Sequence, residues 1–380
     1  MRVLEMRADR GHAARVGELP VLGELAGELP SAPCRVVLIA HLLDTAVPYV
    51  RMLGRHCDLV RVIAVPYSAQ AEALALLDDL PALVPESIDE VRPLAMDAAR
   101  EAGQSTGAPV VIQEVGGYCA EEVDVLASIQ GVRGVVEDTK QGLWRYERAA
   151  PLPLPVYTIA DSPLKALEDV QVGRSIAYSV ERLLRSRFYR LTCEQRLLVL
   201  GYGGIGTALA EHFRRLGADV AVFDPDEVRM SAAVVHGFKV GPRAELLAWA
   251  DVIVGVSGQR ALSASDLPHL RSGVVLASGS SKQVEFDIEG LRAAASSLVE
   301  IDEVTEIEAG GRAIYLLNQG RPVNFLEQSI LGSVLDLVYS ELYLCTRELA
   351  RSERRPGLHR LEPSLQQALA RRWRERYARR

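Results

Sequence analysis

The chain has 380 residues, 48% apolar and 24% charged, with a formal net charge of −7. That length allows two or three domains with large cores, and the acidic balance argues against a general nucleic-acid binder, which would carry a basic face. No window reaches the roughly 18 uncharged apolar residues of a membrane span, and the charged start, Met1 to Val16, lacks the apolar segment of a signal peptide, so a cytoplasmic protein is expected. The five cysteines, Cys34, Cys57, Cys119, Cys193 and Cys345, are scattered and form no CxxC, which fits a reducing compartment and offers neither a metal nor a disulfide framework.

In chain order, CRVVLIA (34–40) and VRVIAVP (60–66) read as buried strands, separated by a helical segment from Asp44. AEALALLDDL (71–80) reads as a helix, APVVIQEVGG (108–117) as a third strand ending in a glycine turn, and GVRGVVEDT (131–139) as a short strand and loop. The proline-rich PLPLPVYTIADSPLK (151–165) is extended and breaks into a long helix over about 164–186. A second series of strands follows: LLVLG, DVAVFD, VIVGVS, VVLAS and AIYLLN. Helix returns over 324–346. The stretch 332–350 carries leucine, valine and tyrosine on more than one face, which suggests burial at a subunit contact of a homo-oligomer. The last ten residues, RRWRERYARR, read as a solvated basic helix end.

Strands alternating with helices imply parallel α/β layers. Two α/β domains are expected: a substrate domain over 1–185, completed by 325–355, and a Rossmann NAD-binding domain over 190–324, followed by a helical tail over 356–380. Cofactor and a small-molecule substrate belong at the carboxyl ends of the strands.

The most specific signal is LLVLGYGGIGTALAEHF (197–213), in which Gly201, Gly203 and Gly206 form G-x-G-x-x-G between a strand and a helix. The first glycine permits the tight turn, the second lets the backbone approach a pyrophosphate, and the third lets helix and strand pack closely. The helix start offers its N–H groups to the anion. The next strand ends in Asp224, whose carboxylate suits a ribose 2′-OH and repels a 2′-phosphate, so NAD rather than NADP is expected. The cofactor-binding set expected here is Gly201, Gly203, Gly204, Ile205, Gly206 and Asp224, with Ser257 and Gly258 after VIVGVS.

The order of motifs resembles the S-adenosyl-L-homocysteine hydrolase family. The likeness rests on the glycine-turn unit 197–226, VEFDIEGL (284–291), AIYLLNQGRPVNF (313–325), DSPLKALED (161–169), VVEDTKQG (135–142) and AHLLDTA (40–46). It implies a resident NAD that oxidises a ribose 3′-OH and so acidifies the C4′ proton. Elimination of the 5′ thiol, addition of water and reduction of the ketone then follow. By resemblance Lys165 and Asp169, four apart on one helix face, handle the 3′-OH. His41 is an acid/base histidine, Asp138 stands for a glutamate on the ribose diol, and Thr139 and Asn324 touch NAD.

The departures are as specific. Ser281 replaces a histidine beside the 3′-OH, and Val115 takes the place of the C4′ base with only Glu114 near. SILGS (329–333) replaces a purine-contacting Gly-His-Pro-Ser, and with no match to the family's NAD-capping tail after 358–370, looser NAD retention is expected. Trp144 and Tyr146 read as packing residues and Cys119 as a buried thiol. Three functions are compatible with this pattern: an NAD-dependent enzyme acting on an altered nucleoside or sugar-like substrate, a divergent hydrolase of the family proper, or a non-catalytic NAD-binding regulator.

Overall fold

The computed structural model describes residues 17–29, 33–104 and 107–378. The segment Met1–Val16, read above as no signal peptide, and the last two residues of the basic tail lie outside them. The chain divides into two α/β units, Met1–Lys165 with Leu331–Arg380, and Ala166–Ile330. Among the described residues no helix is long and apolar enough to cross a membrane.

In the first unit, β1 (Arg35–Ala40), β2 (Asp58–Ala64), β3 (Ala82–Leu83), β4 (Val110–Glu114), β5 (Val132–Glu137) and β6 (Pro155–Thr158) form a parallel sheet. Its order is Gly357–His359, β6, β5, β4, β1, β2, β3. The central strands are nearly unbroken apolar runs because helices cover both faces. Strand order reverses at β1 and β4, which creates the crevice where doubly wound sheets hold ligands. The segments that follow β1, β4, β5 and β6 carry His41, Val115–Tyr118, Asp138 and Asp161–Lys165, so the fold collects at one sheet edge residues far apart in the chain.

In the second unit, β7 (Arg196–Leu200), β8 (Asp219–Phe223), β9 (Val252–Gly255), β10 (Val274–Ser278), β11 (Ser297–Ile301), β12 (Val304–Ala309) and β13 (Arg312–Leu317) are ordered β11, β12, β13, β10, β9, β7, β8. The β11–β12–β13 meander is antiparallel and the rest parallel. The five strands expected from the sequence are all present. The β11–β12 hairpin was not foreseen, because β11 is exposed along its whole length and shows no alternation.

Four expectations change. The units part at 165/166 and 330/331, not near 185 and 324. Ile176, Ala177, Val180, Leu183 and Leu184 of the helix Lys165–Phe188 are fully buried with Val199, Leu209 and Phe213 in the second unit's core, so the helix packs there. The basic end is docked as well as solvated. It forms the helix Pro363–Tyr377, in which Trp373 Nε1 donates to Ser333 O at 2.7 Å and Arg372 bonds Glu28 at 2.8 and 2.5 Å. The helix Val334–Arg351 is buried on several faces within its own unit, so its apolar faces need no subunit contact. It starts later than expected, after Gln328 and Ser329 adopt φ of 67° and 58°.

Buried Asp336 on that helix accepts from Val21 N at 2.8 Å and Leu22 N at 2.9 Å, capping the helix Pro20–Glu28 from more than 300 positions away, and takes the Tyr377 hydroxyl at 2.8 Å. Asp336→Ala leaves these donors without their acceptor. Urea unfolding is expected to show a loss of about 1–3 kcal/mol.

Candidate functional site

The glycine turn of the second unit follows β7, beside the point where strand order reverses between β7 and β9. Gly201 has φ 103°, and a Cβ there would lie 2.7 Å from the backbone of Ser257. A Cβ on Gly206 would come within 1.9 Å of Gly201 O, so the helix Gly204–Arg215 can meet the strand only through glycine. A Cβ on Gly203 would meet nothing within 4 Å, so no protein packing demands glycine there, and the open space suits a pyrophosphate. Ile205 packs into the unit's core. Asp224, 4% exposed, accepts from Tyr202 N at 2.7 Å and Asp226 N at 2.9 Å, which holds the carboxylate against the turn. Arg229 Nη1 lies 3.2 Å from the same carboxylate, a neighbour that sequence reasoning missed. The Asp169 carboxylate sits over Gly204, where a Cβ would be 2.0 Å from Oδ2, and so lies at the positive end of that helix.

After β9, Gly258 N donates to Glu285 Oε1 at 2.6 Å and Ser257 Oγ to Glu285 Oε2 at 2.8 Å. Ser280 Oγ also donates to Glu285. Glu285 is fully buried, and burial pushes its carboxyl up to about 7 despite these bonds. Sequence reasoning named Ser257 and Gly258 but not the acid beneath them. Buried Asn324 donates through Nδ2 to Ser329 Oγ at 3.1 Å, while no donor among the described residues reaches its Oδ1. An orphan amide acceptor, an open pyrophosphate cradle and an anchored ribose acid together fit NAD.

In the first unit, Lys165 Nζ lies 2.8 Å from Asp138 Oδ1, with both side chains about one-sixth exposed (16% and 17%). His41 Nδ1 is 2.7 Å from Ser68 Oγ, and Ser68 donates to Val65 O at 3.0 Å. These bonds fix the orientation of the imidazole through its Nδ1 edge. His41 follows β1 and Asp138 follows β5, two strands over, which is about 10 Å by strand spacing. The structure thus joins Asp138 to Lys165 directly, places His41 along the same sheet edge, and sets Asp169 at the glycine turn of its own unit.

Thr139 caps the helix Lys140–Arg148. Its hydroxyl donates to Glu137 at 2.7 Å and accepts from Gly142 N at 3.2 Å, leaving one lone pair for a ligand. Glu137 also accepts from Gly116, Gly117 and Thr139 N–H groups at 2.9, 2.8 and 2.6 Å. Burial and the neighbouring Glu114 push it up to about 8. Glu114 itself is fully buried beneath the glycine turn, accepting from Cys119 N at 3.2 Å and from the Tyr146 hydroxyl. It is therefore built into the layer under the turn. Val115 packs into an apolar cluster. Tyr146 and Cys119 are buried, as their packing readings require, and burial raises the Cys119 thiol. Among the described residues no cluster of His, Cys, Asp or Glu has metal-binding geometry.

Two predictions follow from this geometry. Gly203→Ala is expected to cost less than about 1 kcal/mol of stability yet to reduce the NAD-induced rise in melting temperature, whereas Gly206→Ala lowers the melting temperature without ligand; thermal scans with and without NAD separate the two. The second concerns pH. Glu285 keeps a proton in the folded chain up to about 7, against an ordinary 4.5, so between those values the folded state binds more protons than the unfolded one. Unfolding free energy therefore falls as pH rises through that window, with Glu137 extending the fall toward 8. Urea titrations from pH 5 to 8 are expected to show a shallower fall in Glu285→Gln.

Residues 180–329 match the S-adenosyl-L-homocysteine hydrolase NAD-binding domain. Over 376 residues the chain is 25% identical to the adenosylhomocysteinase of Nostoc sp., covering 93% of this chain and 86% of that protein. It is 29% identical over 250 residues to the adenosylhomocysteinase of Archaeoglobus fulgidus, and 27% identical over 252 residues to the S-inosyl-L-homocysteine hydrolase of Methanothermobacter thermautotrophicus. These two alignments cover 63% and 64% of this chain and only 61% and 60% of the relatives. The second unit thus matches the NAD-binding domain of S-adenosyl-L-homocysteine hydrolases, and the chain as a whole is similar to the adenosylhomocysteinase of Nostoc sp..

Proposed function

We propose that the chain is an NAD-dependent enzyme that oxidises a ribose-type hydroxyl of a nucleoside or sugar-like substrate. The observation that carries the reading is the Lys165–Asp138 pair at 2.8 Å on the carboxyl edge of the first sheet, in a chain that retains the glycine turn. Asp138 holds the Lys165 Nζ in place at the sheet edge. A diol that donates its hydrogen bonds to Asp138 is thereby set beside Lys165, which takes the proton of the reacting hydroxyl. NAD, when bound, supplies the hydride acceptor. Asp169 belongs to the same reaction by resemblance. His41, along the same edge of its sheet, is the acid/base histidine by resemblance.

The substrate and the endpoint are read from the departures. Val115 is apolar where the family has its C4′ base, which favours net oxidation of the hydroxyl over the oxidation–elimination–reduction cycle. Each missing acid/base group lowers a rate by about 10²–10⁴-fold. The relatives' names differ in the purine, adenosyl in two and inosyl in one, and SILGS replaces the purine-contacting motif here. The base is therefore the part of the substrate most open to change.

The test is absorbance at the reduced-nicotinamide band. Purified protein with NAD is offered adenosine, inosine, their homocysteinyl thioethers and free sugars. A signal from one of them, reduced about 10²-fold or more in Lys165→Ala and weakened in Asp138→Asn, is the expected result. Release of homocysteine would instead mark a divergent hydrolase. Bound NAD with no reduction by any compound would make the chain an NAD-binding regulator and overturn the proposal.

A further inference from the structure

Cys34 and Cys57, 23 positions apart, meet in the first unit with their Sγ atoms 3.1 Å apart. Cys34 immediately precedes β1 and Cys57 immediately precedes β2, and the parallel register pairs Arg35 with Asp58. Asp58 N donates to Cys34 O at 2.9 Å, which fixes the two residues opposite each other at the amino ends of the strands. Adjacent strands lie about 4.8 Å apart, inside the Cα separation of about 4.4–6.8 Å that a disulfide spans. Closing a bond here requires no backbone rearrangement.

The surroundings are polarised. Arg347, 3% exposed on the helix Val334–Arg351, acts electrostatically on both thiols and favours their thiolate forms. Asp58 opposes it at Cys34, and His56, at the end of the helix Val47–His56, is held down by burial and by Arg347. Cys34 is 2% exposed and Cys57 8%. The cluster lies at the sheet end opposite His41, Asp138 and Lys165, so it takes no part in the proposed reaction.

We propose that Cys34 and Cys57 are a modification site, a dithiol that hydroperoxides oxidise to an intrachain disulfide. The Cys34 thiolate attacks a peroxide oxygen; an S–O bond forms, the O–O bond breaks, and the released oxyanion takes up the proton that Cys34 lost. The Cys57 thiol then attacks the Cys34 sulfur. The S–S bond forms, the S–O bond breaks, and hydroxide leaves as water with the Cys57 proton. The peroxide is reduced by two electrons and the two thiols are oxidised. Cys34 is the attacking sulfur because its partner's S–H and Arg347 both stabilise its thiolate.

The experiment treats the full chain, in a Cys193→Ser background that removes the exposed thiol, with hydrogen peroxide, then alkylates and maps the peptides. The expected result is a Cys34–Cys57 crosslink with loss of two hydrogens, reversed by dithiothreitol and accompanied by a higher melting temperature. Cys119 and Cys345 should remain alkylatable after unfolding. Cys57→Ser is expected to accumulate a dimedone-trappable sulfenic acid at Cys34 and no crosslink. Recovery of both thiols reduced after peroxide treatment, or over-oxidation of either one without a crosslink, overturns the proposal. Because the wild-type map decides between these outcomes, the test stands even if Cys57→Ser folds poorly.

Discussion

A buried carboxylate that gathers hydrogen bonds from a glycine-containing turn recurs at the carboxyl edge of both sheets. Glu137 takes the N–H groups of Gly116, Gly117 and Thr139, Asp224 those of Tyr202 and Asp226, and Glu285 that of Gly258. Loops that leave a parallel sheet expose N–H groups which neither strand nor helix satisfies, and leaving such groups buried without partners is costly. One acid beneath each turn answers that need and fixes the turn's shape. The close approach requires small residues, as at Gly142, where a Cβ would fall 2.0 Å from the Glu137 carboxyl carbon.

The same device sets the electrostatics. Desolvation raises Glu137 and Glu285 to about 8 and 7, so each holds its proton near neutrality or exchanges it there. The turns they support carry three of the candidates named from the sequence, Thr139, Ser257 and Gly258. Thr139 and Gly117 rest on Glu137, and Ser257 and Gly258 on Glu285. The acids that touch the turns from below are thus positioning groups, while the acid in the Lys165 pair, Asp138, remains partly exposed and able to meet a substrate.

The glycine turn was legible because its requirements are local. A tight turn, an open approach and a helix–strand contact each demand glycine at a fixed spacing, and all three demands hold in the structure. His41, Asp138 and Lys165 were legible only through resemblance, since a lone histidine, a loop carboxylate and a helix-start lysine have no local signature. Glu137 and Glu285 were missed for the converse reason. Glu137 at the end of an apolar strand and Glu285 in the loop after β10 both read as surface acids until the tertiary structure covers them. The several apolar faces of the helix Val334–Arg351 are filled by its own unit, which its sequence pattern alone does not reveal.

By itself the sequence determined the α/β alternation, the strands of both sheets that lie in apolar runs, the Rossmann turn and its NAD preference. These depend on periodicity and on constraints that act within one strand–helix–strand unit. Only the tertiary structure decided strand order, the capping of the first described helix by Asp336, the pairing of Lys165 with Asp138 and the meeting of Cys34 with Cys57. Each of these joins residues from different strands or helices, and parallel strands bring together segments separated by a whole crossover connection. No local pattern can encode a contact whose geometry is set by which strands become neighbours.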